Sequence, residues 1–175
     1  TLSREQSMQL IEALDGHWLQ PIVIVALTTG MRLGEILALK WSNINLDEGT
    51  ARVIWSVSET KTLGLTLKEP KTGKSGERTI HLSSMTVDTL RTVLVDQNKR
   101  VLKLGTSKTN DPLVFDDWCR GHGKHGEITP PHYVTTAFIR RMDKIDLPRV
   151  RFHDLRHTHI SQLLADGHPV HAVSK

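Results

Sequence analysis

An unbroken apolar segment at residues 21–27 (PIVIVAL) limits the folds that this chain of 175 residues can adopt. Because every side of the segment is apolar, other elements must cover it all round. Pro21 near its start and Gly30 shortly after its end are typical of a buried helix. The β-branched Ile and Val side chains leave a buried strand as the alternative. The length of the chain suits one domain that encloses this segment.

Helical spacing of apolar residues predicts most of the other elements. Ser3 and Gln6 form a capping-box pattern that begins a helix ending at Leu14. A short amphipathic helix follows Gly30. Longer helices are predicted at residues 85–104, 129–144 and 152–167, and another begins at Pro169.

Residues 51–82 lose the helical spacing and predict strands instead. Three short strands are expected at residues 51–57, 64–69 and 77–82. The KTGKSG turn at residues 71–76 joins the second strand to the third as the tip of a hairpin. With the helices, this predicts a mainly α fold with a small antiparallel β-sheet, of the α+β class.

Charge and cysteine content exclude several classes of protein. No apolar run approaches the roughly 20 residues of a membrane span. The N-terminus lacks the pattern of a secretory signal peptide. The single cysteine, Cys119, excludes an internal disulfide, and we expect a reducing, cytoplasmic location. The net charge of +4 permits an acidic partner, including nucleic acid.

A cationic cluster begins the predicted helix at residues 152–167. His153, Arg156 and His157 stand three and four residues apart, so they share one helical face. The N–H groups of a helix start and the forked donors of arginine suit a phosphate, and His153 can transfer a proton near neutral pH. Taken alone, this segment could also be a surface helix start with solvated charges.

Two further basic features have functional and ordinary interpretations. Arg32 and Glu35 stand three residues apart, so the carboxylate can orient the guanidinium, although a surface ion pair is the simpler reading. Lys71, Lys74 and Arg78 give the hairpin a basic tip that can reach a phosphodiester backbone. A solvated turn explains the same residues equally well.

Three segments, taken together, resemble the catalytic domain of the tyrosine recombinase (phage integrase) family. They are TTGMRLGEILALKWSNI, EPKTGKSGERTIHL and HDLRHTHISQLLADG, in the order that the family has them. The resemblance implies the fold of that domain over residues 1–175. It implies catalytic roles for Arg32, Lys71, His153 and Arg156, a supporting role for Glu35, and DNA contacts for Lys74 and Arg78. Lys74 remains an alternative to Lys71 as the catalytic lysine.

The resemblance also implies an activity. The full-length protein is expected to be a site-specific DNA recombinase that breaks and rejoins DNA through a 3′-phosphotyrosyl intermediate. It needs no metal and no other cofactor. The implied partner is double-stranded DNA at a specific attachment site in a bacterium or an infected host. The full-length protein is also expected to act as a homotetramer on DNA, with accessory DNA-bending proteins and without contact with a membrane.

Two expected parts of such a protein are not in this sequence. The family's nucleophilic tyrosine motif is expected beyond Lys175, and its N-terminal DNA-clamping domain is expected before residue 1. The single tyrosine, Tyr133, is interpreted as a packing residue. The chain by itself is therefore expected to be inactive as a catalytic-domain fragment.

Three other functions compete with this interpretation. The His153–Asp154 doublet with His157 is compatible with a metal-dependent, HD-type phosphohydrolase, although that class needs further ligands on other helices. A non-catalytic DNA-binding module could keep the same fold. A type IB topoisomerase uses the same chemistry.

Overall fold

The computed structural model describes residues 1–60, 62, 64–68, 77–105, 111–121 and 124–168. The predicted turn at residues 71–76 and the helix from Pro169 therefore lie outside the described residues. The described residues form six α-helices: α1 (Arg4–Ala13), α2 (Gln20–Thr29), α3 (Leu33–Leu37), α4 (Ser84–Leu104), α5 (Pro131–Met142) and α6 (Asp154–Ala165). Within the same ranges they form five strands: β1 (Ile44–Asn45), β2 (Thr50–Val53), β3 (Ser56–Thr60), β4 (Gly64–Lys68) and β5 (Arg78–His81).

The apolar segment forms the central helix α2, which settles the choice between helix and strand. Its six residues 22–27 are all buried. Helices α1, α3, α4 and α6 pack around it, as a helix that is apolar on every side requires. It ends at Gly30, whose φ of 63° lies in the left-handed region that glycine adopts without steric penalty.

The other predicted helices are confirmed, with some changes in which residues they bury. Ser3 and Gln6 form the expected capping box: the Ser3 N–H donates to Gln6 Oε1 over 2.9 Å, and the Gln6 N–H donates to Ser3 Oγ over 3.1 Å. Three apolar residues of these helices, Leu104, Ile139 and Leu164, are exposed rather than buried in the core. Each lies near a helix end, where the core no longer covers the whole apolar face of the helix. No helix of the described ranges is long and apolar enough to cross a bilayer.

The strands form two small antiparallel sheets, so the predicted hairpin is wrong in its pairing. The expected strand at residues 51–57 is split at residues 54–55 into β2 and β3. Strand β2 pairs with β1 and β5, whereas β3 pairs with β4. The strands on either side of residues 71–76 therefore lie in different sheets, because β4 pairs with β3, its nearest preceding strand in the chain, and β5 pairs with β2.

A close backbone contact attaches the β3–β4 ribbon to the helices. Gly34 of α3 lies so near β3 that an added Cβ would stand 2.5 Å from the Val57 carbonyl oxygen and 2.6 Å from Ser56 Oγ. Val57 is buried, while the β4 residues Leu65 and Leu67 are partly buried against the core. The ribbon is thus seated directly beside Arg32 and Glu35.

Candidate active site

Glu35 is the centre of a cluster that joins helix α3 to strand β5. Arg78 donates from Nη1 to Glu35 Oε1 over 3.2 Å and from Nη2 to Oε2 over 2.7 Å. Arg32 donates from its backbone N–H to Glu35 Oε2 over 2.9 Å and from Nη1 to Oε1 over 3.2 Å. One carboxylate therefore holds two guanidinium groups, as bidentate arginine–carboxylate geometry allows.

Burial and charge act on Glu35 in opposite directions. Burial alone would raise its pKa, but hydrogen bonds from Arg78 and from the Arg32 backbone, together with both positive charges, lower the pKa below its ordinary value. Its side chain is only 9% exposed, compared with 23% for Arg78 and 61% for Arg32. Glu35 thus stays ionised in a buried position, and Arg32 extends from it into solvent.

Arg156 approaches the same cluster from helix α6. Its Nη1 donates to the carbonyl oxygen of Gly30, the residue that ends α2. Burial lowers the pKa of Arg156, the positive charges of Arg32 and Arg78 lower it further, and Glu35 opposes them. Three guanidinium groups therefore lie in one cluster with a single carboxylate, which binds only two of them, and this leaves an excess of positive charge that suits a phosphate.

The start of α6 differs from the expected anion site. The N–H groups of Asp154, Leu155 and Arg156 donate to the carbonyl oxygens of residues 151, 152 and 153. Those donors are used within the backbone, so an anion at this position would be held by side chains. His153 is the N-cap residue and is exposed, with its ring edge-to-face against His157 at 5.0 Å between centroids.

Asp154 has a structural role that counts against the HD-type phosphohydrolase. Arg151 donates to Asp154 Oδ1 from Nη2 over 3.0 Å, and to Oδ2 from its backbone N–H over 2.8 Å. These bonds lower the pKa of Asp154 to about 2. Within the described ranges, no group of three or more His, Cys, Asp or Glu side chains could hold a metal ion. The phosphohydrolase interpretation is therefore not supported.

The basic hairpin residues are only partly described. Lys71 and Lys74 lie outside the described residues, between the end of β4 at Lys68 and the start of β5 at Arg78. Arg78 is expected from the sequence to contact DNA, but its guanidinium is occupied by Glu35. Strand β5 is therefore joined to the arginine cluster through Arg78, the first residue of the strand, which also pairs with Val53 of β2.

Tyr133 lies in a surface contact rather than in the core. The residue is 42% exposed. The guanidinium carbon of Arg120 stands 4.2 Å from the ring centroid, and the His132 ring lies 4.2 Å away on a centroid-to-centroid measure. The tyrosine packs, as interpreted, but against polar neighbours at the N-terminal end of α5.

Two contacts near the cluster were not foreseen from the sequence. Gly34 permits the close approach of β3, and His159 packs against Gly30 and bonds to Leu27. The contact at Gly34 could not be predicted, because a single glycine in a five-residue helix gives no sequence signal of a close neighbour. The position of His159, three residues after Arg156 and hence on a similar face of α6, is the one sequence signal that could have drawn attention to it.

Comparison with known proteins shows which family the sequence matches. The sequence model described as "Phage integrase family" matches residues 1–175. A "Tyrosine recombinase XerC-like" protein of Caldanaerobacter subterraneus subsp. tengcongensis is 27% identical over 186 residues, which cover 100% of this chain and 46% of that protein. The "Integrase" of Staphylococcus phage L54a is 27% identical over 154 residues, which cover 87% and 42% respectively. The chain thus spans less than half the length of these relatives.

Solved structures show the same fold at lower identity. The integrase of transposon Tn1549 in complex with transposon right end DNA superimposes with a TM-score of 0.80 at 18% identity, covering 98% of this chain and 55% of that one. XerA recombinase gives a TM-score of 0.72 at 21% identity, covering 98% and 53%. These matches confirm the mainly α fold with small antiparallel sheets.

Proposed function

The chain belongs to the phage integrase family, and from this premise we propose that the full-length protein is a site-specific DNA recombinase of the tyrosine type. The observation that carries the proposal is that Glu35 binds the Arg32 guanidinium, while Arg156, held by the Gly30 carbonyl oxygen, adds its charge to the same cluster. A DNA-binding module needs basic surface, but it has no need for two arginines held in place by a buried carboxylate and a backbone carbonyl.

In this proposal the two arginines bind the non-bridging oxygens of the scissile phosphate. Attack by a tyrosine hydroxyl on phosphorus concentrates negative charge on those oxygens in the transition state. Arg32 and Arg156 are held before the substrate arrives, so their charges stabilise the transition state without reorganisation. Glu35 fixes Arg32, and its ionisation is supported by its lowered pKa.

The remaining steps are proton transfers. The tyrosine oxygen forms a bond to phosphorus, the bond from phosphorus to the 5′-oxygen breaks, and Lys71 gives a proton to that oxygen as it leaves. Lys74 is the alternative donor. His153 assists by accepting the proton that the tyrosine hydroxyl loses as it attacks phosphorus. The attacking hydroxyl is assigned to a tyrosine of the full-length protein other than Tyr133, since that ring is already engaged by Arg120 and His132.

The proposed partner is double-stranded DNA at a specific attachment site, contacted by Lys74 among others. Support comes from the Tn1549 integrase of the same fold, which was solved with transposon end DNA. A homotetramer on DNA with accessory DNA-bending proteins remains part of the proposal. The relatives come from a bacterium and a phage, which supports the cytoplasm of a bacterial cell as the location.

The test uses the full-length protein, nicked DNA that carries its attachment site, and EDTA. We expect a covalent protein–DNA adduct that survives denaturant, and a loss of adduct of about 100-fold or more in Arg156→Ala. Arg91→Ala is the matched control, because Arg91 is an exposed arginine on helix α4 that pairs with the exposed Asp47. Binding without an adduct would favour the non-catalytic module. Cleavage that appears only with added metal would contradict the proposal.

A further inference from the structure

We propose that His159 is a positioning residue for Arg156, and that it acts through Gly30 at the end of helix α2. The inference rests on the proposed function and adds a residue to it. Arg156 and His159 are three residues apart on α6, so both side chains face the same end of α2. One touches the substrate phosphate in the proposed mechanism, and the other touches only protein.

The first contact fixes His159 on α2. Its Nδ1 lies 2.9 Å from the carbonyl oxygen of Leu27, in the last turn of that helix. A carbonyl oxygen can only accept, so Nδ1 carries the proton and donates it. The bond uses a carbonyl group that has no partner within the helix, because the last four carbonyl groups of a helix lack one.

The second contact places the imidazole ring directly on Gly30. A Cβ added to Gly30 would stand 2.5 Å from Cδ2 of His159 and 3.2 Å from its Cγ. The ring therefore occupies the space that any other residue's side chain would need. Gly30 is required here for two reasons, its positive φ of 63° and the closeness of this ring.

The third contact connects this arrangement to the site. Gly30 presents its carbonyl oxygen to Nη1 of Arg156, and it stands two residues before Arg32. The position of Gly30 thus affects both proposed phosphate ligands at once. A ring that holds Gly30 in place holds the acceptor that orients Arg156, and a small displacement of such groups is enough to slow a reaction.

The charge state of His159 fits this role. Burial lowers its pKa, the bond to Leu27 acts in the opposite direction, and the Arg156 cation lowers it again. The imidazole therefore stays neutral near neutral pH. A neutral ring can lie beside Arg156 without repelling it, and it keeps one donor for Leu27.

The test compares two substitutions in the full-length protein. His159→Asn keeps a donor near the position of Nδ1, whereas His159→Leu fills the space without any donor. We expect His159→Leu to form the covalent adduct about 10- to 100-fold more slowly while DNA affinity changes less than about twofold, and His159→Asn to recover most of the rate. His168→Leu removes an exposed histidine after the same helix and is the matched control.

A second measurement separates this inference from the proposed function. Nuclear magnetic resonance of the imidazole nitrogens reports the His159 tautomer and its pKa whether or not the protein cleaves DNA. We expect the Nδ1–H form in the wild type and a higher His159 pKa in Arg156→Ala, since a neighbouring cation is removed. The Nε2–H form, an unchanged pKa in Arg156→Ala, or a His159→Leu variant that cleaves at the wild-type rate would each overturn the inference. Absence of adduct in the wild type would instead contradict the proposed function.

Discussion

The two sides of the candidate site are held in different ways. The arginine side consists of Arg32 at the start of α3 and Arg156 on α6, and its support is the buried packing of both helices against α2. The lysine side consists of the β3–β4 ribbon and β5, which flank Lys71. A two-stranded ribbon is marginal by itself, and this one depends on its contact with α3 at Gly34. Glu35 links the two sides, because it binds Arg32 on α3 and Arg78 on β5.

In the proposed function, this difference separates the residues that bind the phosphate from the lysine that transfers a proton. Groups that stabilise charge work best when they are fixed in advance, and packing against the most buried helix provides that. Under the proposed function, preorganisation lies where phosphate binding would need it, and the following predictions test that division.

The largest expected effect comes from the core of the arginine side. Leu155 is fully buried on α6, so Leu155→Ala should lower the free energy of unfolding by about 2–5 kcal/mol through lost contacts and a cavity. Leu67 on the ribbon is only partly buried, and Leu67→Ala should lower it by about 1 kcal/mol or less. Urea titration measures both. Equal losses would show that the two sides are equally supported.

Removal of the link between the sides should have the next largest effect. Glu35→Gln keeps the size of the side chain but removes the charge, so Arg78 loses its partner while largely shielded from solvent. We expect a loss of about 2 kcal/mol in the free energy of unfolding and a cleavage defect at unchanged pH. Asp47→Asn is the control, because Asp47 is 96% exposed and pairs with Arg91. Similar small changes in both variants would contradict a bridging role for Glu35.

A smaller effect is expected where the ribbon meets α3. Alanine in place of a helical glycine usually stabilises a protein by roughly 0.5–1 kcal/mol. Gly34→Ala should instead destabilise by about 1–3 kcal/mol, because its Cβ would stand 2.5 Å from the Val57 carbonyl oxygen and backbone must move. Thermal unfolding gives the sign directly. A stabilised Gly34→Ala variant would show that β3 is not closely seated on α3.

The smallest effect concerns pH. The folded-state pKa of His159 is lowered relative to about 6.5 in an unfolded chain, so the unfolded state binds the proton first as the pH falls. Stability should therefore decrease as the pH drops below about 7, until the folded-state pKa is reached. His17, whose pKa burial also lowers, adds to the same trend. His159→Asn should remove its part of this decrease, and an identical pH profile in that variant would contradict the lowered pKa.

The sequence predicted the helices well because their signals are local. The Ser3 capping box and the apolar run of α2 are complete within a few residues, and so are the Arg32–Glu35 pair and the His153–Arg156 spacing. Strand pairing was missed because no local sequence pattern indicates that the chain changes sheet between β2 and β3, or that β3 pairs with β4. The role of Arg78 was incompletely predicted for the same reason, since its partner Glu35 lies 43 positions away. The Gly30–His159 contact likewise joins distant segments.

One measurement tests the division between the two sides most directly. A DNA substrate with sulfur in place of the bridging 5′-oxygen has a thiolate leaving group, which needs no proton because thiols have pKa values of about 8.5. We expect Lys71→Ala in the full-length protein to cleave normal DNA slowly and the sulfur substrate at nearly the wild-type rate. Arg156→Ala should stay impaired on both substrates, because its phosphate contact is missing in each. Two results would contradict the account: rescue of Arg156→Ala by the sulfur substrate, or no rescue of either Lys71→Ala or Lys74→Ala.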